Sequence, residues 1–221
     1  MDIIEIKNRL VKRATGLTTG GFKPTYSDKE SWIGRIAYYR EDESIPEDAA
    51  GLPMLPLLQL SLEGLPYVPE GLENIRMITL FVSEDLPSGL TEEGADWVLR
   101  EYSKDDTLVQ KDLEIADSYL RPFPLKTAFI PEDYPVWDGD SIPSELVEEI
   151  IRLEKKGEID DYYNEVINNY GHKVGGYPTF YRPDFNFDEG FEFKLQVASD
   201  EKVRLNIIED GTIFLARHKQ T

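Results

Sequence analysis

Histidine side chains are the natural candidates for acid–base chemistry near neutral pH, and this sequence contains two, His172 and His218. His172 opens the segment His-Lys-Val-Gly-Gly-Tyr-Pro, in which Gly175 and Gly176 can adopt the positive φ angles of a sharp turn. The imidazole could bind a ligand beside this turn, or it could bond the backbone and fix the turn itself. Both interpretations stay open, and His172 is a candidate ligand-binding residue. His218, near the end of the sequence, is expected in an exposed tail.

Two glutamines lie at the centres of apolar segments that are typical of buried strands. Gln59 lies in Leu-Leu-Gln-Leu and Gln196 in Lys-Leu-Gln-Val. A buried amide must be hydrogen-bonded. The two amides could face a common cleft and bind a small ligand together with His172, or each could bond the main chain of its own neighbouring loop.

Other motifs of catalysis and cofactor binding are missing from the sequence. There is no cysteine, which excludes thiol nucleophiles, disulfides and zinc–thiolate sites. The glycine-rich nucleotide-binding loops, His-Glu-x-x-His and Gly-x-Ser-x-Gly are all absent. Adjacent carboxylates such as Glu148-Glu149 are expected by chance among 43 acidic residues. We therefore predict no catalytic residue, no metal ion and no cofactor, and an enzyme is the least supported class.

The charge of the chain restricts its partners. The 43 acidic and 24 basic residues give a net charge of −19, which repels nucleic acid and acidic membrane surfaces. Residues 1–30 hold six basic and four acidic side chains, so the excess acid lies in the rest of the chain. This acid either only aids solubility or attracts a basic protein partner. The candidate partner-binding residues come from three acidic segments: Glu41, Asp42, Glu43, Glu47, Asp48, Glu92, Glu93, Asp160 and Asp161.

The length and the hydropathy pattern bound the organisation of the protein. No run of about 18 apolar residues is available to span a membrane, and the N-terminus carries acid where a secretory signal would be basic. We expect one domain over residues 1–221 in the cytoplasm. The oligomeric state is not predicted.

Hydrophobic spacing predicts an α+β fold that is largely antiparallel β-sheet, with an N-terminal helix. The predicted helices cover residues 2–13, 91–102, 144–156 and 160–169. The predicted strands cover residues 55–62, 75–83, 106–113, 125–130, 191–197, 203–208 and 212–216. Asp210-Gly211 is a typical hairpin turn between the last two strands.

The order of several elements is repeated. Trp-Ile-Gly-Arg at 32–35, the strand around Gln59 and the aromatic strand at 78–82 follow one another in the first half. Lys-Val-Gly-Gly at 173–176, the strand around Gln196 and the aromatic strand at 212–216 follow in the second. We therefore predict an internal duplication with units at about 31–83 and 170–217, separated by helices.

These motifs resemble those of the YwqG-like family of bacterial proteins of unknown function. Residues 172–180 are similar to the family's His-Lys-x-Gly-Gly-Tyr-Pro segment, and 193–201 to its Gln-containing strand and Ser-Asp element. Residues 210–215 are similar to its closing aromatic strand, and 51–60 to the segment leading into its first apolar strand. Gly34-Arg35 departs from the Gly-Gly of the family, and 208–211 lack its Trp-Gly-Asp turn, so no binding role tied to that turn is carried over.

The resemblance implies an α+β fold with an internal duplication but no established reaction. Some proteins of this kind are candidate immunity proteins encoded beside bacterial toxins. Our first hypothesis is therefore a non-enzymatic immunity protein that neutralises a basic toxin domain through its acidic surface. The alternative is a small-ligand-binding module with a site between the two units.

Overall fold

A computed structural model shows the fold, and it describes residues 1–84, 93–113, 115, 118–139, 141–179, 187, 190–207 and 211–219. Most of the regular structure is antiparallel sheet, as the sequence predicts, and the α+β class is confirmed. No helix among these residues is long and apolar enough to cross a membrane.

The chain begins with a short helix that leads directly into the sheet. Helix α1 covers Ile3–Leu10, and the Asp2 carboxylate caps it by accepting the amide of Glu5 at 2.8 Å. It is shorter than predicted, because β1 begins at Lys12 and pairs on both sides.

The remaining elements alternate between strands and two further helices. The strands are β1 (Lys12–Thr19), β2 (Ser31–Ile33), β3 (Tyr38–Tyr39), β4 (Leu55–Ser61), β5 (Ile75–Val82), β6 (Trp97–Ser103), β7 (Val109–Gln110), β8 (Phe123–Asp133), β9 (His172–Gly175), β10 (Phe191–Ala198) and β11 (Thr212–His218). The helices are α2 (Ser144–Lys156) and α3 (Tyr162–Glu165).

Nine of these strands form one antiparallel sheet in the order β11-β10-β9-β1-β8-β2-β4-β5-β6. Its two outer strands approach each other, since Arg217 of β11 lies 3.4 Å from the Glu101 carboxylate of β6. The sheet is therefore strongly curled. Its inner face holds the largest apolar core, which combines side chains from both halves such as Leu58, Leu60 and Val197. A small sheet of β3 and β7 lies beside it.

The helices form a second layer with its own core. The buried side chains of α2 (Leu146, Ile150 and Leu153) pack with Ile6 and Leu10 of α1. Helix α2 has the predicted bounds and ends at Gly157, whose φ of 68° is the left-handed conformation that favours glycine.

Three predicted elements are wrong, and tertiary pairing explains each. Residues 97–103 form the edge strand β6, not a helix, because their alternating side chains pair with β5; residues 91–92 lie outside the described part. Helix α3 stops at Glu165 because Asn168 and Asn169 bond the end of β8 instead. Residues 201–204 form a turn closed by two hydrogen bonds between Asp200 and Leu205, and residues 206–207 are irregular.

One further strand prediction differs in extent, and one predicted turn is only partly described. Of the predicted strand at 106–113 only Val109–Gln110 is regular. The Asp210 position of the closing turn, with Ile208 and Glu209, lies outside the described residues.

The two glutamine strands have matching registers. Gln59 pairs with Trp32 of β2, and Gln196 pairs with Lys173 of β9. Each glutamine strand also has a register shift just before its glutamine. It lies between Pro56 and Leu58 in β4 and between Phe193 and Leu195 in β10. Strand β1 pairs with β9 of the second half, and β8, which precedes β9, pairs with β2 of the first. The internal duplication stays a prediction, which these registers support.

Candidate functional site

Gln59 fastens the loop after β2 to the sheet. Its side chain is fully buried. Oε1 accepts the amides of Ala37 at 2.9 Å and Tyr38 at 3.2 Å, and Nε2 donates to the carbonyl oxygen of Glu30 at 3.1 Å. All three partners are backbone groups, so this amide serves the fold.

Gln196 does the same for the loop after β9. Its Oε1 accepts the amide of Thr179 at 3.1 Å, and its Nε2 donates to the carbonyl oxygen of Gly171 at 2.7 Å. Gly171 immediately precedes β9, as Glu30 immediately precedes β2. The two amides thus bond backbone at corresponding places.

The three candidate ligand residues do not meet in one cleft. His172 and Gln196 lie on the neighbouring strands β9 and β10, but Gln59 lies on β4, five strand positions from β10. Leu58 and Leu60 flank Gln59, Leu195 and Val197 flank Gln196, and all four line the inner core. The alternating side chains of the two glutamines therefore point to the outer face of the curled sheet, on strands five positions apart. A site that combines His172 with both glutamines is therefore not formed.

His172 is held at both ring nitrogens. The amide of Ala198 donates to Nδ1 at 3.1 Å, which assigns the proton of the neutral ring to Nε2, 3.3 Å from the Asp200 carboxylate. This bond from His172 is the largest cause that lowers the pKa of Asp200 to about 2, and the amide of Lys202 acts in the same direction. With both nitrogens engaged, the imidazole orients Asp200 and the strand end.

A pocket of about 530 Å³ lies beside this pair. Its lining includes Asp200, Glu201, Arg204 and Asn206. Arg204 has a φ of 61°, which is unusual for a residue with a side chain. Nothing in the sequence indicates this conformation, because a positive φ is expected at glycine or asparagine.

The first half contains a smaller pocket at the corresponding strand end. It measures about 270 Å³ and is lined in part by Ser31, Ser61, Glu63 and Lys126. Ser31 takes the place of His172, since its hydroxyl oxygen accepts the amide of Ser61 at 3.0 Å. The amide of Ser61 in the first half and the corresponding amide of Ala198 in the second are therefore hydrogen-bonded by a hydroxyl and by an imidazole, respectively.

A buried ion pair that sequence analysis missed lies behind the turn after β9. Lys173 and Asp133 are almost completely buried, and Nζ of Lys173 lies 2.8 Å from the carboxylate. Burial lowers the pKa of Lys173, and the charge of Asp133 opposes that shift. The carboxylate also accepts the amides of Tyr177 and Asn169. The Asp133 carboxylate at the end of β8 therefore holds together β9, the residue Asn169 before it and the residue Tyr177 after it.

The first acidic segment divides into structural and free carboxylates. Glu43 accepts the amide of Arg40 and the hydroxyl of Tyr102, and Asp48 accepts the amides of Ala50 and Leu52. Glu41, Asp42 and Glu47, in contrast, have side chains that make no hydrogen bond or ion pair within the described residues.

The second acidic segment lies beside the first. The amide of Ala49 donates to the carbonyl oxygen of Ala95 at 2.9 Å, which brings exposed Glu93 close to the same loop. One carboxylate oxygen of Glu93 accepts the amide of Leu99 at 3.2 Å. Glu92 lies outside the described residues. We call the group formed by Glu41, Asp42, Glu47 and Glu93 the acidic surface.

The third segment lies elsewhere, between α2 and α3. Asp161 caps α3 by accepting the amide of Tyr163 at 2.7 Å, and Asp160 is exposed. These two residues belong to the helical layer and do not extend the acidic surface.

The base of the acidic surface is fixed by a charge network. Arg40 donates two hydrogen bonds to Asp106, and this contact is the main cause that lowers the pKa of Asp106 to about 2. Arg100 lies 3.8 Å from Glu43 and bonds the carbonyl oxygen of Ser44. Arg40 and Arg100 therefore neutralise the inner carboxylates, and the Lys111 ammonium bonds the carbonyl oxygens of Glu41 and Glu43. Among the described residues no ion pair reaches the outer carboxylates.

His218 is not in an exposed tail. It ends β11, and its ring packs edge-on against Phe191 at 5.2 Å. Within the part of the chain that the structure describes, no group of three His, Asp or Glu side chains could hold a metal ion.

No protein-family model matches this sequence, and a comparison with curated proteins finds no match. The resemblance to the YwqG-like family therefore stays a prediction.

Proposed function

We propose that this protein is a non-enzymatic binding protein that neutralises a basic protein partner, in the manner of an immunity protein acting on a toxin domain. The observation that carries the proposal is the acidic surface. Its outer carboxylates are exposed and form no ion pair within the described part of the chain. Arg40 and Arg100 are committed to Glu43 and Asp106, and Lys111 is committed to main-chain carbonyl oxygens.

The rest of the molecule supports an electrostatic role. A net charge of −19 attracts a basic protein over distances near the Debye length, about 10 Å in moderate salt, and raises the rate of encounter. A loop fixed at its base can present carboxylates with little loss of entropy on binding. The proposal includes a cytoplasmic location and extends the YwqG-like resemblance.

The proposal is tested with the product of the neighbouring gene, if that gene encodes a toxin domain. We expect the two proteins to co-purify, and the full chain to rescue cells that express the toxin domain. The triple variant Glu41→Lys, Asp42→Lys, Glu47→Lys should bind at least tenfold more weakly, because three attractive charges become repulsive.

A matched control changes the same number of charges elsewhere. Glu70→Lys, Glu148→Lys and Asp160→Lys alter exposed carboxylates away from the acidic surface. This second triple variant should retain most of the affinity. Equal losses of affinity in the two triple variants would show that only the net charge matters and not the acidic surface. A toxin domain that neither binds this protein nor is neutralised by it in cells would overturn the proposal.

The pocket beside His172 favours a second candidate function, small-ligand binding. Its support is the pocket volume together with the strained Arg204, because such strain persists where the side chain is used. A thermal-shift screen of metabolites should find a ligand whose stabilisation is lost in Arg204→Gly. A screen with no hit would remove this candidate.

A further inference from the structure

Strand β8 is only partly paired on one of its sides. It is the longest strand, and β1 accompanies it from Leu125 to Asp133. On its other side β2 pairs only with Phe123, Pro124 and Leu125. No strand among the described residues pairs with that side of β8 beyond Leu125.

The hydrogen-bond alternation shows which backbone groups are left free. The amide of Gly20 donates to the carbonyl oxygen of Pro124 at 2.7 Å, so Pro124 faces β1. In an antiparallel ladder alternate residues face opposite neighbours. Thr127 and Phe129 therefore direct both their N–H and C=O groups away from β1, and neither residue bonds another segment in the described chain.

The surface around these groups is open and partly apolar. Phe129 is 49% exposed although it lies opposite the buried Thr15. The 270 Å³ pocket begins at Lys126 and Thr127 and includes exposed Phe22. Unpaired strand edges are templates for another strand, and native proteins normally cover them.

We propose that an extended segment of a partner protein adds to β8 as a further strand along residues 126–130. Two free amides and two free carbonyl groups, repeating at about 6.8 Å, match the main chain of a strand. An apolar side chain of the segment packs on Phe129, and flanking basic residues suit the charge of −19.

A second copy of this chain is the poorer occupant. Two copies would each bring a charge of −19 to the contact. The β2 strand of a second copy would also lie beside its own β8, on the side that must pair. A basic extended segment avoids both obstacles, because its charge is opposite to that of this chain and no neighbouring strand blocks its edge.

This surface is separate from the acidic surface and is tested independently of it. The probe is the peptide acetyl-Arg-Thr-Val-Arg-Val-Thr-Arg-amide, titrated into the isotopically labelled full chain. We expect the amide resonances of Thr127 and Phe129 to shift and their hydrogen exchange to slow. The same peptide with alternate amide nitrogens methylated should leave both unchanged, since it cannot complete the ladder.

Two variants at one position separate backbone pairing from side-chain contact. Thr127→Pro removes a free N–H without removing a bond to β1, and should weaken binding about tenfold or more. Thr127→Ala keeps that N–H and should bind within about twofold of the original protein.

Three outcomes overturn the proposal. They are no shift at Thr127 and Phe129 at about 1 mM peptide, equal binding of the methylated peptide, or equal binding of Thr127→Pro and Thr127→Ala. If Thr127→Pro fails to fold, the methylated peptide still decides the question.

Discussion

The two glutamine-centred halves of the sheet have the same framework and different chemistry. In each half a buried glutamine bonds the backbone before and after a short strand, and a side chain at the start of that strand accepts an amide. That acceptor is Ser31 in the first half and His172 in the second. The comparison shows that the corresponding backbone amide is hydrogen-bonded in both halves, although the side chain that accepts the bond differs.

The differences concentrate charge in the second half. Lys173 stands where the first half has Trp32, and the partner of Lys173, Asp133, is buried with it. Asp200 is bonded by His172, whereas the corresponding Glu63 makes, within the described residues, a single 3.9 Å contact with exposed Lys29. We expect the second half to be the more sensitive to charge removal and to pH.

The largest effect should come from Asp133→Ala, which leaves the buried Lys173 ammonium without a counter-charge. We expect a loss of about 4 kcal/mol in the free energy of unfolding, measured by urea denaturation. The double variant with Lys173→Met should lose less than the sum of the two single variants. A loss below about 1 kcal/mol in Asp133→Ala would contradict the structural role of the pair.

The glutamine substitutions test whether the two halves are equivalent. Gln59→Ala and Gln196→Ala each leave buried backbone groups unpaired, and each should lower the free energy of unfolding by about 3 kcal/mol. Gln110→Ala, in exposed β7, is the control and should change little. A large loss of stability for only one of the two glutamine variants would show that the two halves are not equivalent.

The pH dependence of stability should distinguish Asp200 from Glu63. The pKa of Asp200 is depressed in the folded protein, so its contribution is present above about pH 4 and is lost as the pH falls towards 2. Because Asp200 is partly reached by solvent, we expect Asp200→Asn to cost about 1 kcal/mol at pH 6 and almost nothing near pH 2.

Glu63→Gln is the matched variant for that measurement. It removes only a surface ion pair and should change the stability by less than about 0.5 kcal/mol at pH 6. Denaturation of both variants and the original protein across pH 2–6 gives the result. Parallel pH curves for Asp200→Asn and the original protein would contradict the prediction.

An effect about as small as that of Asp200→Asn concerns the turns that follow the two glutamine strands. The first turn uses Gly64 at a φ of 82°, and the second uses Arg204 at 61°. Arg204→Gly should stabilise the protein by about 1 kcal/mol, and Gly64→Ala should destabilise it by a similar amount, in thermal unfolding. Destabilisation by Arg204→Gly would show that the arginine side chain makes a stabilising contact.

Strong local patterns predicted several elements closely. Helix α2 and strands β4, β5 and β10 lie within a residue or so of their predicted bounds, because amphipathic and apolar periodicity acts within one segment. Strands β1 and β9 could not be predicted, since Thr15, Gly16 and Lys173 break the apolar pattern and are accommodated only by pairing on both sides. Strand β2 is only three residues long, too short to show a periodicity.

The candidate site was predicted in its parts but not in its assembly. The sequence indicated His172, Gln196 and the first acidic segment. It gave no sign that Glu43 and Asp48 are used within the fold, because their partners, such as Tyr102, are distant in the chain or are backbone amides. The pairing of Lys173 with Asp133, 40 residues away, was likewise invisible.

The sequence alone determined the α+β class, the net charge of −19 and the need of Gln59 and Gln196 for buried partners. These are properties of composition and of short-range periodicity, which need no knowledge of what packs against a segment. Only the tertiary structure decided that the two glutamines lie on strands five positions apart and bond separate loops. It also decided that outer carboxylates of two acidic segments share one surface, and that β8 has a free side. Those are long-range pairings, and they depend on which strands the folded sheet brings together.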